Sequence, residues 1–507
     1  MAKIERTKNA TRNMTFGIVL KAYQILVPFL MRTAMIYLMG VEYLGLNSLF
    51  TSILQVLNLV ELGVGSAMVF SMYKPIADDD RETICALMKL YRNYYRAIGL
   101  VIAIAGGILT PFVPKLITGT VPDEINIYIL YLLNLSVTVL SYWLFAYKSS
   151  ILDAHQRTDV ASRVRIVIST VQYALQILVL IIFHNYYYYV IISLATQALT
   201  NIVVAFYANK LYPEFLLEGN LSDDIKRNIN RRIKDMFTSK VGGVIVDSGD
   251  TLVISAFLGL ASLAIYQNYF YIINSVTGVI FVVNSSIVAG IGNSLITESK
   301  EKNYRDFEKF NFILFWIIGF CVCCFSVLMQ PFMAIWVGED LVLPFGMVIL
   351  FCIYFLCNVF EKSLSVFKDA GGIWHNDRYR PLIYGIANLI LNIISVKSIG
   401  LYGILLSTIV TCLIISIPWI IKNIFVLIYE RKVFPFVLEI TEYIFVIVIA
   451  GIINYFICSF IYCSIYISFV LKCIVCVIVP NIVFLVVYRR NPLFKECIIL
   501  AKKVIKI

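Results

Sequence analysis

Long apolar runs separated by short polar breaks dominate this sequence. Fourteen can be distinguished along the 507 residues, and most match the roughly 20 residues that an α-helix needs to cross a bilayer. They lie at 14–39, 47–73, 97–118, 124–147, 164–183, 187–209, 237–259, 262–296, 310–337, 343–361, 381–397, 399–421, 436–457 and 461–488. The runs are continuous, whereas the strands of an outer-membrane barrel alternate in polarity. The sequence therefore predicts an all-α polytopic membrane protein with about fourteen transmembrane helices.

Composition supports the same class of protein. Hydrophobic residues make up 60% of the chain and charged residues 14%, whereas a soluble domain is about 45–50% apolar and about 25% charged. This balance excludes a soluble globular enzyme, and the apolar content excludes a disordered chain. The net charge of +11 is attributed to the loops that hold the topology, and no nucleic-acid partner is expected.

The distribution of basic residues supports the number of spans. If the N-terminus is cytoplasmic, only Lys115 and Lys397 of the 42 Lys and Arg residues fall in outside loops, and Lys21, Arg32 and Lys472 fall within spans. All the others fall in inner segments, as the positive-inside rule requires for short loops. We therefore predict that both termini are cytoplasmic.

The loops are too short to hold a catalytic domain. The longest inner connection is about 209–236, and outer loops such as 113–123 are short. No Walker-type phosphate loop is present, and the cysteines lack zinc-ligand spacing with the three histidines. We expect no cofactor, no metal site and no enzymatic activity. His155 and His375 fall in inner loops and His184 at an outer end, so all three are interpreted as surface residues.

A short repeat suggests two related halves. Residues 43–49 (YLGLNSL) and 257–263 (FLGLASL) are identical at five of seven positions, and 63–66 (GVGS) resembles 290–294 (GIGNS). Each copy opens the second span of a six-span block, so the two blocks would be lobes of the same orientation, related by an axis along the membrane normal. Two lobes around a shared cavity are typical of a transporter.

The repeat sets the predicted domain limits. Spans 1–6 form an N-lobe at residues 1–210, and residues 211–236 form a cytoplasmic linker between the lobes. Spans 7–12 form a C-lobe at residues 237–425. Residues 426–507 hold spans 13 and 14 with a basic cytoplasmic tail.

Span one contains two basic residues, Lys21 and Arg32. They are eleven residues apart, which at 100° per residue places them within about 20° of the same face. Pro28 lies between them and is expected to bend the helix, and Gln24 lies close to that face. Two cations at different depths could bind a lipid diphosphate; the alternative is that both side chains reach an interface by snorkelling.

Span seven contains a pair of carboxylates, Asp247 and Asp250. Their spacing of three residues places them on one helix face. They are candidates to bind a coupling ion, Na⁺ or H⁺, or to pair with Lys21 or Arg32. A structural ion pair or a water-facing wall is the alternative.

Span eight collects uncharged polar groups that suit sugar hydroxyls. Gln267, Asn268 and Asn274 provide amides, and Tyr266 and Tyr269 provide rings that could stack on sugar faces. Hydrogen bonding between helices is the alternative.

Five segments carry a resemblance to a known family. They are 42–50 (EYLGLNSLF), 61–67 (ELGVGSA), 73–77 (YKPIA), 87–92 (LMKLYR) and 377–382 (DRYRPL). They resemble segments of the Wzx-like polysaccharide flippases of Gram-positive type, a family of the multidrug/oligosaccharidyl-lipid/polysaccharide (MOP) exporter superfamily. The resemblance covers about residues 10–425 and is weaker over the last two spans. It implies two six-helix lobes, a V-shaped central cavity and two additional helices.

The resemblance also implies a function. Such a protein would be a flippase of the bacterial cytoplasmic membrane that moves undecaprenyl-diphosphate-linked oligosaccharide units to the outer leaflet by alternating access, for capsule, O-antigen or exopolysaccharide biosynthesis. Its partners would be that glycan, the lipid bilayer, and the polymerase and glycosyltransferases of the same pathway. A multidrug cation exporter of the same superfamily and a lipid II flippase are the alternatives. A membrane glycosyltransferase or polymerase would need a large outer loop with acidic residues, which the sequence lacks.

Overall fold

The structure of the protein is a computed structural model. It describes the backbone of residues 6–505 and the side chains of residues 19–502, except those at positions 235, 238, 239, 285, 286, 289, 500 and 501. Two basic residues of the predicted inner termini lie outside the described residues, namely Lys3 and Lys506. The chain divides into two compact units, residues 1–264 and 265–507, and the division falls within one long helix. The predicted domain limits remain a prediction.

The first unit is built from helices and contains no strand within residues 6–264. Its helices are α1 (Arg6–Leu38), α2 (Val41–Leu57), α3 (Val64–Ala77), α4 (Arg81–Leu109), α5 (Ile127–Trp143), α6 (Ser149–Ala154), α7 (Thr158–Phe183), α8 (Tyr186–Leu211) and the first part of α9 (Asp223–Ser286). Short 3₁₀ turns lie at Asn58–Glu61, Thr110–Leu116 and Ala146–Lys148. In this unit α1 packs on α7, α7 on α8, α8 on α5, and α5 on α4.

The second unit is also helical, without a strand in residues 265–505. It holds the rest of α9, then α10 (Val288–Thr297), α11 (Lys300–Val337), α12 (Phe345–Ala370), α13 (Trp374–Asp377), α14 (Arg380–Ile399), α15 (Leu401–Thr411), α16 (Ile417–Ile424), α17 (Phe434–Ser459), α18 (Ile465–Tyr488) and α19 (Pro492–Ile505). A 3₁₀ turn lies at Glu339–Leu341, and π-helical turns at Cys412–Ser416 and Phe425–Tyr429.

These helices confirm an all-α multi-pass membrane protein. Within the described part of the chain, twelve helices are long and apolar enough to cross a membrane, and a bent pair, Ile127–Trp143 with Ala146–Ala154, makes a thirteenth if it is one span. One of the twelve, Lys240–Asn284, is longer than a single crossing needs at 45 residues. Most of predicted spans seven and eight falls within it, which explains why the sequence predicts fourteen.

Gly259 separates these two predicted spans. Its backbone is non-helical, with φ 87° and ψ 174°, and bends α9 at this residue. A side chain would be strained at this φ, and a Cβ there would lie 2.7 Å from the carbonyl oxygen of Thr118. The connection between predicted spans seven and eight is therefore one glycine rather than a loop.

The core of the second unit surrounds α11, which packs against α12, α17 and α18. Gly319 of α11 allows α17 and α18 to approach closely, because a Cβ there would lie 2.7 Å from Ile447 of α17 and 2.8 Å from Phe484 of α18. Spans 13 and 14, predicted as an addition to the lobe, are thus fixed to α11 by tight packing.

Candidate functional site

The basic residues of span one lie on α1, which continues through Pro28 as one helix. Lys21 and Arg32 are both partly exposed, and Gln24 is exposed. Lys21 has no hydrogen-bond or ion-pair partner among the described residues. Arg32 lies close enough to the Tyr189 phenol of α8 to interact with it electrostatically. Of the two predicted cations, Lys21 is therefore available to a ligand, and Arg32 lies within electrostatic range of Tyr189.

The opposite side of α1 is fixed to α7. The hydroxyls of Tyr23 and Thr170 are 2.9 Å apart, and the Tyr23 ring lies 6.3 Å from that of Tyr173. Because Tyr23 is two residues from Lys21, about 200° around the helix, this contact turns Lys21 away from α7.

The predicted carboxylate pair of span seven differs in environment. Asp250 is 6% exposed, whereas Asp247 is exposed. Between them, the hydroxyl of Ser248 is fully buried and has no hydrogen-bond partner in the described structure. An unsatisfied buried hydroxyl is unusual, because such a group costs about 1–3 kcal/mol, but two residues along a helix place Ser248 and Asp250 about 200° apart, on different faces.

The predicted sugar-contacting residues of span eight fall into two groups. Asn274 is exposed and Gln267 is partly exposed, but Asn268 is fully buried. Tyr266 and Tyr269 are also buried. The interpretation of these two rings as stacking surfaces for sugar is wrong.

Their packing explains why both rings are buried. The Tyr269 ring stacks on Phe351 at 5.6 Å, and the Tyr266 ring lies 5.5 Å from the same residue. The Tyr269 hydroxyl accepts a hydrogen bond from the backbone N–H of Leu343 at 2.9 Å. A buried tyrosine needs such a partner for its hydroxyl, and its spacing in the sequence does not distinguish this role from sugar binding.

Glu61 is a candidate that the sequence analysis did not select. It ends the 3₁₀ turn that interrupts span two, just before Gly63, whose φ is 91°. The Tyr95 hydroxyl of α4 donates to the Glu61 carboxylate at 3.2 Å, and the Tyr91 hydroxyl donates to that of Tyr95 at 2.7 Å. Lys240 lies within electrostatic range. The sequence pattern that could have identified Glu61 is the pair of tyrosines four residues apart on α4, together with the glycines that follow Glu61.

A second missed group is a buried ionic cluster in the second unit. Arg380, which is 5% exposed, forms a two-pronged contact with Asp377 through Nε at 2.7 Å and Nη2 at 3.0 Å. Its Nη1 donates to Glu361 of α12 at 2.6 Å. Ser416 also donates to Glu361, at 2.9 Å, from the π-helical turn after α15. The segment 377–382, one of those that carry the family resemblance, therefore contributes Asp377 and Arg380 to a buried ion-pair network.

The predicted inter-lobe linker is fixed to the first unit at its start. Arg81 Nε donates to the carbonyl of Glu214 at 2.8 Å, and Lys89 Nζ to that of Gly219 at 3.0 Å. Phe215 is 3% exposed. From residue 223 onward the linker is helical, as part of α9. Residues 211–222 are therefore a packed segment and not a free connection.

His155 lies beneath this segment. It is 8% exposed, and its ring lies 4.2 Å from that of Tyr212 and 5.6 Å from that of Phe215. Burial lowers the pKa of His155, and the contact of Nδ1 with the Ile151 carbonyl at 2.8 Å opposes this shift. The surface interpretation of His155 is wrong, because residues about sixty positions later in the chain cover it; His184 and His375 are exposed, as predicted.

Comparison with solved structures identifies the fold. The lipid II flippase MurJ in its inward closed conformation superposes with a TM-score of 0.69 at 15% identity, covering 94% of this chain and 99% of MurJ. An inward-facing multidrug resistance MATE transporter of the MOP superfamily superposes with a TM-score of 0.57 at 13% identity, covering 80% of this chain and 97% of its own. The chain therefore has the fold of these two transporter structures.

A third match has the same fold. A mutant form of the Vibrio cholerae MATE transporter VcmN superposes with a TM-score of 0.53 at 14% identity, covering 84% of this chain and 99% of VcmN. No protein-family model matches the sequence, and no curated protein matches it. The neighbours are membrane transporters and flippases, and at these identities they establish the fold alone.

Proposed function

We propose that this protein is a flippase for undecaprenyl-diphosphate-linked oligosaccharide units. The observation that carries the proposal is the partly exposed Lys21 on α1, which has no partner in the described structure. A lone ammonium inside a span is costly unless it has a ligand. A lipid diphosphate has the opposite charge and several acceptor oxygens.

In this mechanism the lipid tail stays in the bilayer while the head group crosses the protein. Lys21 and Arg32 lie eleven residues apart, about 16 Å along α1, and would bind the diphosphate at two successive depths. Gln24, Gln267 and Asn274 would contact sugar hydroxyls through their partly or fully exposed amides. Asn268 is the weakest of the proposed contacts, because it is buried.

Coupling to an ion gradient is part of the proposal. Asp250, the buried carboxylate of span seven, is the proposed group to bind Na⁺ or H⁺, and the exposed Asp247 would provide entry. Glu61 is a second carboxylate that could exchange a proton, since it accepts from the Tyr95 hydroxyl and lies within electrostatic range of Lys240. Asp250→Asn should abolish the dependence of transport on one gradient, which identifies the ion.

A lipid II flippase is the second candidate function. The fold similarity to MurJ over nearly the whole chain favours it, and lipid II carries the same lipid diphosphate chemistry. Multidrug export, the activity named for the MATE neighbours, fits less well, since Lys21 and Arg32 would repel an organic cation.

The cellular setting follows from the proposed substrate. We propose a bacterial cytoplasmic membrane with both termini inside, where glycosyltransferases build the lipid-linked unit and a polymerase consumes it on the outer side. Lobes at 1–210 and 237–425, the linker at 211–236 and the additional spans at 426–507 remain the proposed organisation.

The substrate is tested by reconstitution. Proteoliposomes should expose a lipid-diphosphate-linked oligosaccharide to an impermeant enzyme or lectin at a rate that depends on the protein, and expose lipid II more slowly. Equal or faster exposure of lipid II would favour the second candidate. Efflux of an organic cation, without exposure of either lipid, would contradict both.

A further inference from the structure

The C-terminal helix α19 is a separate element that follows the last span closely. Span fourteen ends at Tyr488, and α19 begins at Pro492. The Asn491 side chain accepts a hydrogen bond from the backbone N–H of Leu493 at 2.8 Å and so caps the new helix. Proline at the first helical position is also typical of a helix start. The sequence therefore builds a new helix within a few residues of the membrane boundary.

The first half of α19 is fixed to the start of α11. The Phe494 ring stacks on Trp316, with centroids 5.6 Å apart and planes 5° apart. The Glu496 carboxylate binds Arg305 at 2.6 Å and Lys309 at 3.2 Å. These two cations hold the pKa of Glu496 below its usual range. The position of α19 is thus determined by contacts and not by the connection alone.

The second half of α19 has no such support among its described side chains. Ile498 is 38% exposed and Ile499 is 56% exposed. Lys502 is exposed as well. Exposed isoleucines beside lysines, on a short helix next to a span, are typical of a helix that lies in a membrane interface, where the apolar side chains enter the acyl boundary.

The exposed charged side chains on and just before α19 are basic. Exposed basic side chains are Arg489, Arg490, Lys495 and Lys502. Glu496, the single acidic residue of α19, is neutralised by α11. Arg305 and Lys309 are shared among three carboxylates, because Arg305 also contacts Glu308 and Lys309 also contacts Asp306. Glu439 of α17, which accepts from the Tyr443 hydroxyl, and Glu442 add negative charge near Tyr488. The four exposed basic side chains outnumber the acidic groups that Arg305 and Lys309 leave uncompensated, so the exposed side chains next to the membrane are cationic.

We propose that α19 lies in the cytoplasmic headgroup layer and binds anionic phospholipids. Ile498 and Ile499 would enter the leaflet, while Lys495 and Lys502, with Arg489 and Arg490, would contact the phosphates. Each such residue near an anionic leaflet strengthens binding by about fivefold. This site is distinct from the proposed diphosphate path on α1 and does not depend on the substrate.

Hydrogen–deuterium exchange in nanodiscs tests this proposal with the full-length protein. The nanodiscs contain phosphatidylcholine alone, or phosphatidylcholine and phosphatidylglycerol in roughly a 7:3 ratio. The amides of residues 498–505 should exchange severalfold more slowly in the anionic nanodiscs. The K495Q/K502Q variant should lose most of that difference, since two lysines account for about 25-fold in binding.

Two further variants separate lipid binding from folding. K115Q/K397Q, which removes two predicted outer lysines, should keep the full difference. E496Q, which weakens the contact with α11, should speed exchange in both lipids alike. Exchange that is insensitive to phosphatidylglycerol, or a difference that K495Q/K502Q retains, would overturn the proposal and assign this surface to a protein partner.

Discussion

Gly45 of α2 lies directly against the backbone of Leu260 in α9. A Cβ at position 45 would overlap the Leu260 carbonyl oxygen and lie 3.0 Å from the Leu260 Cβ. These residues belong to the two copies of the short repeat, 43–49 and 257–263. The repeat segments therefore contact each other, and the glycine in the first copy is required by the backbone of the second.

This contact predicts that Gly45→Ala is destabilising. Because the obstacle is a backbone carbonyl that cannot change rotamer, we expect a loss of about 1–3 kcal/mol in the free energy of unfolding. Gly107→Ala in α4 is the matched control, since nothing lies within 4 Å of a Cβ there, and it should be neutral or slightly stabilising. Thermal unfolding of the detergent-solubilised proteins measures both. Equal stability of the two variants would contradict the contact.

The Arg380 cluster predicts a large loss of stability when Arg380 is replaced by an uncharged residue. Arg380→Met removes the two-pronged partner of the buried Asp377, which keeps only Lys368 at 3.2 Å, and an ion-pair partner of the partly exposed Glu361. Breaking such a buried pair typically costs about 3 kcal/mol. Arg378→Met, two residues away, removes an exposed guanidinium that lies over the Tyr379 ring at 4.5 Å and should cost far less. The melting temperatures of the two variants are the measurement, and similar values would show that the cluster does not stabilise the unit.

The hydrogen bond from Tyr95 to Glu61 predicts that loss of the Tyr95 hydroxyl lowers the stability of the protein. Tyr95→Phe keeps the ring but removes the donor to the Glu61 carboxylate, and we expect a loss of about 1–3 kcal/mol. Tyr94→Phe is the control, because the Tyr94 hydroxyl donates to Asn230 at 2.7 Å in an exposed setting. If Glu61 takes part in coupling, Tyr95→Phe should also change the pH dependence of transport, whereas Tyr94→Phe should not.

His155 predicts a pH-dependent stability. Its folded-state pKa lies below the ordinary value of 6.5, so the unfolded chain takes up the proton first as the pH falls. The stabilising contribution is complete above about pH 7 and is lost as the pH falls through 6.5 toward the lower folded-state pKa.

Melting curves between about pH 5 and pH 8 measure this effect. The wild-type protein should lose more stability on acidification than His155→Gln does, and proteolysis within residues 211–222 should increase in parallel. His375→Gln, at an exposed position, should behave as the wild type. A His155→Gln variant with the wild-type pH dependence would contradict the buried state of the ring.

The fold follows from sequence because its signals are local. A run such as 310–337 and the lysines beside it determine insertion and orientation without reference to other segments. The one ambiguous element, α9, is long because its turn is a single glycine, Gly259, with no polar residues to mark it.

The candidate site is only partly predictable, because its environment depends on distant segments. The presence of Lys21 and Asp250 in spans is visible from hydropathy. The burial of His155, by contrast, depends on Tyr212 and Phe215, and that of Tyr269 on Phe351. Sequence spacing gives helix faces, but it does not show which face meets another helix.

The most direct test of the proposed function is leaflet exposure of a lipid-diphosphate-linked oligosaccharide by the Lys21→Ala/Arg32→Ala variant. Because a charge-assisted hydrogen bond contributes about 1.5–3 kcal/mol, we predict at least about a tenfold slower exposure than for the wild type. Lys115→Ala/Lys397→Ala, at equal expression and insertion, should retain the wild-type rate. Wild-type exposure by the Lys21→Ala/Arg32→Ala protein would contradict the cationic path on α1.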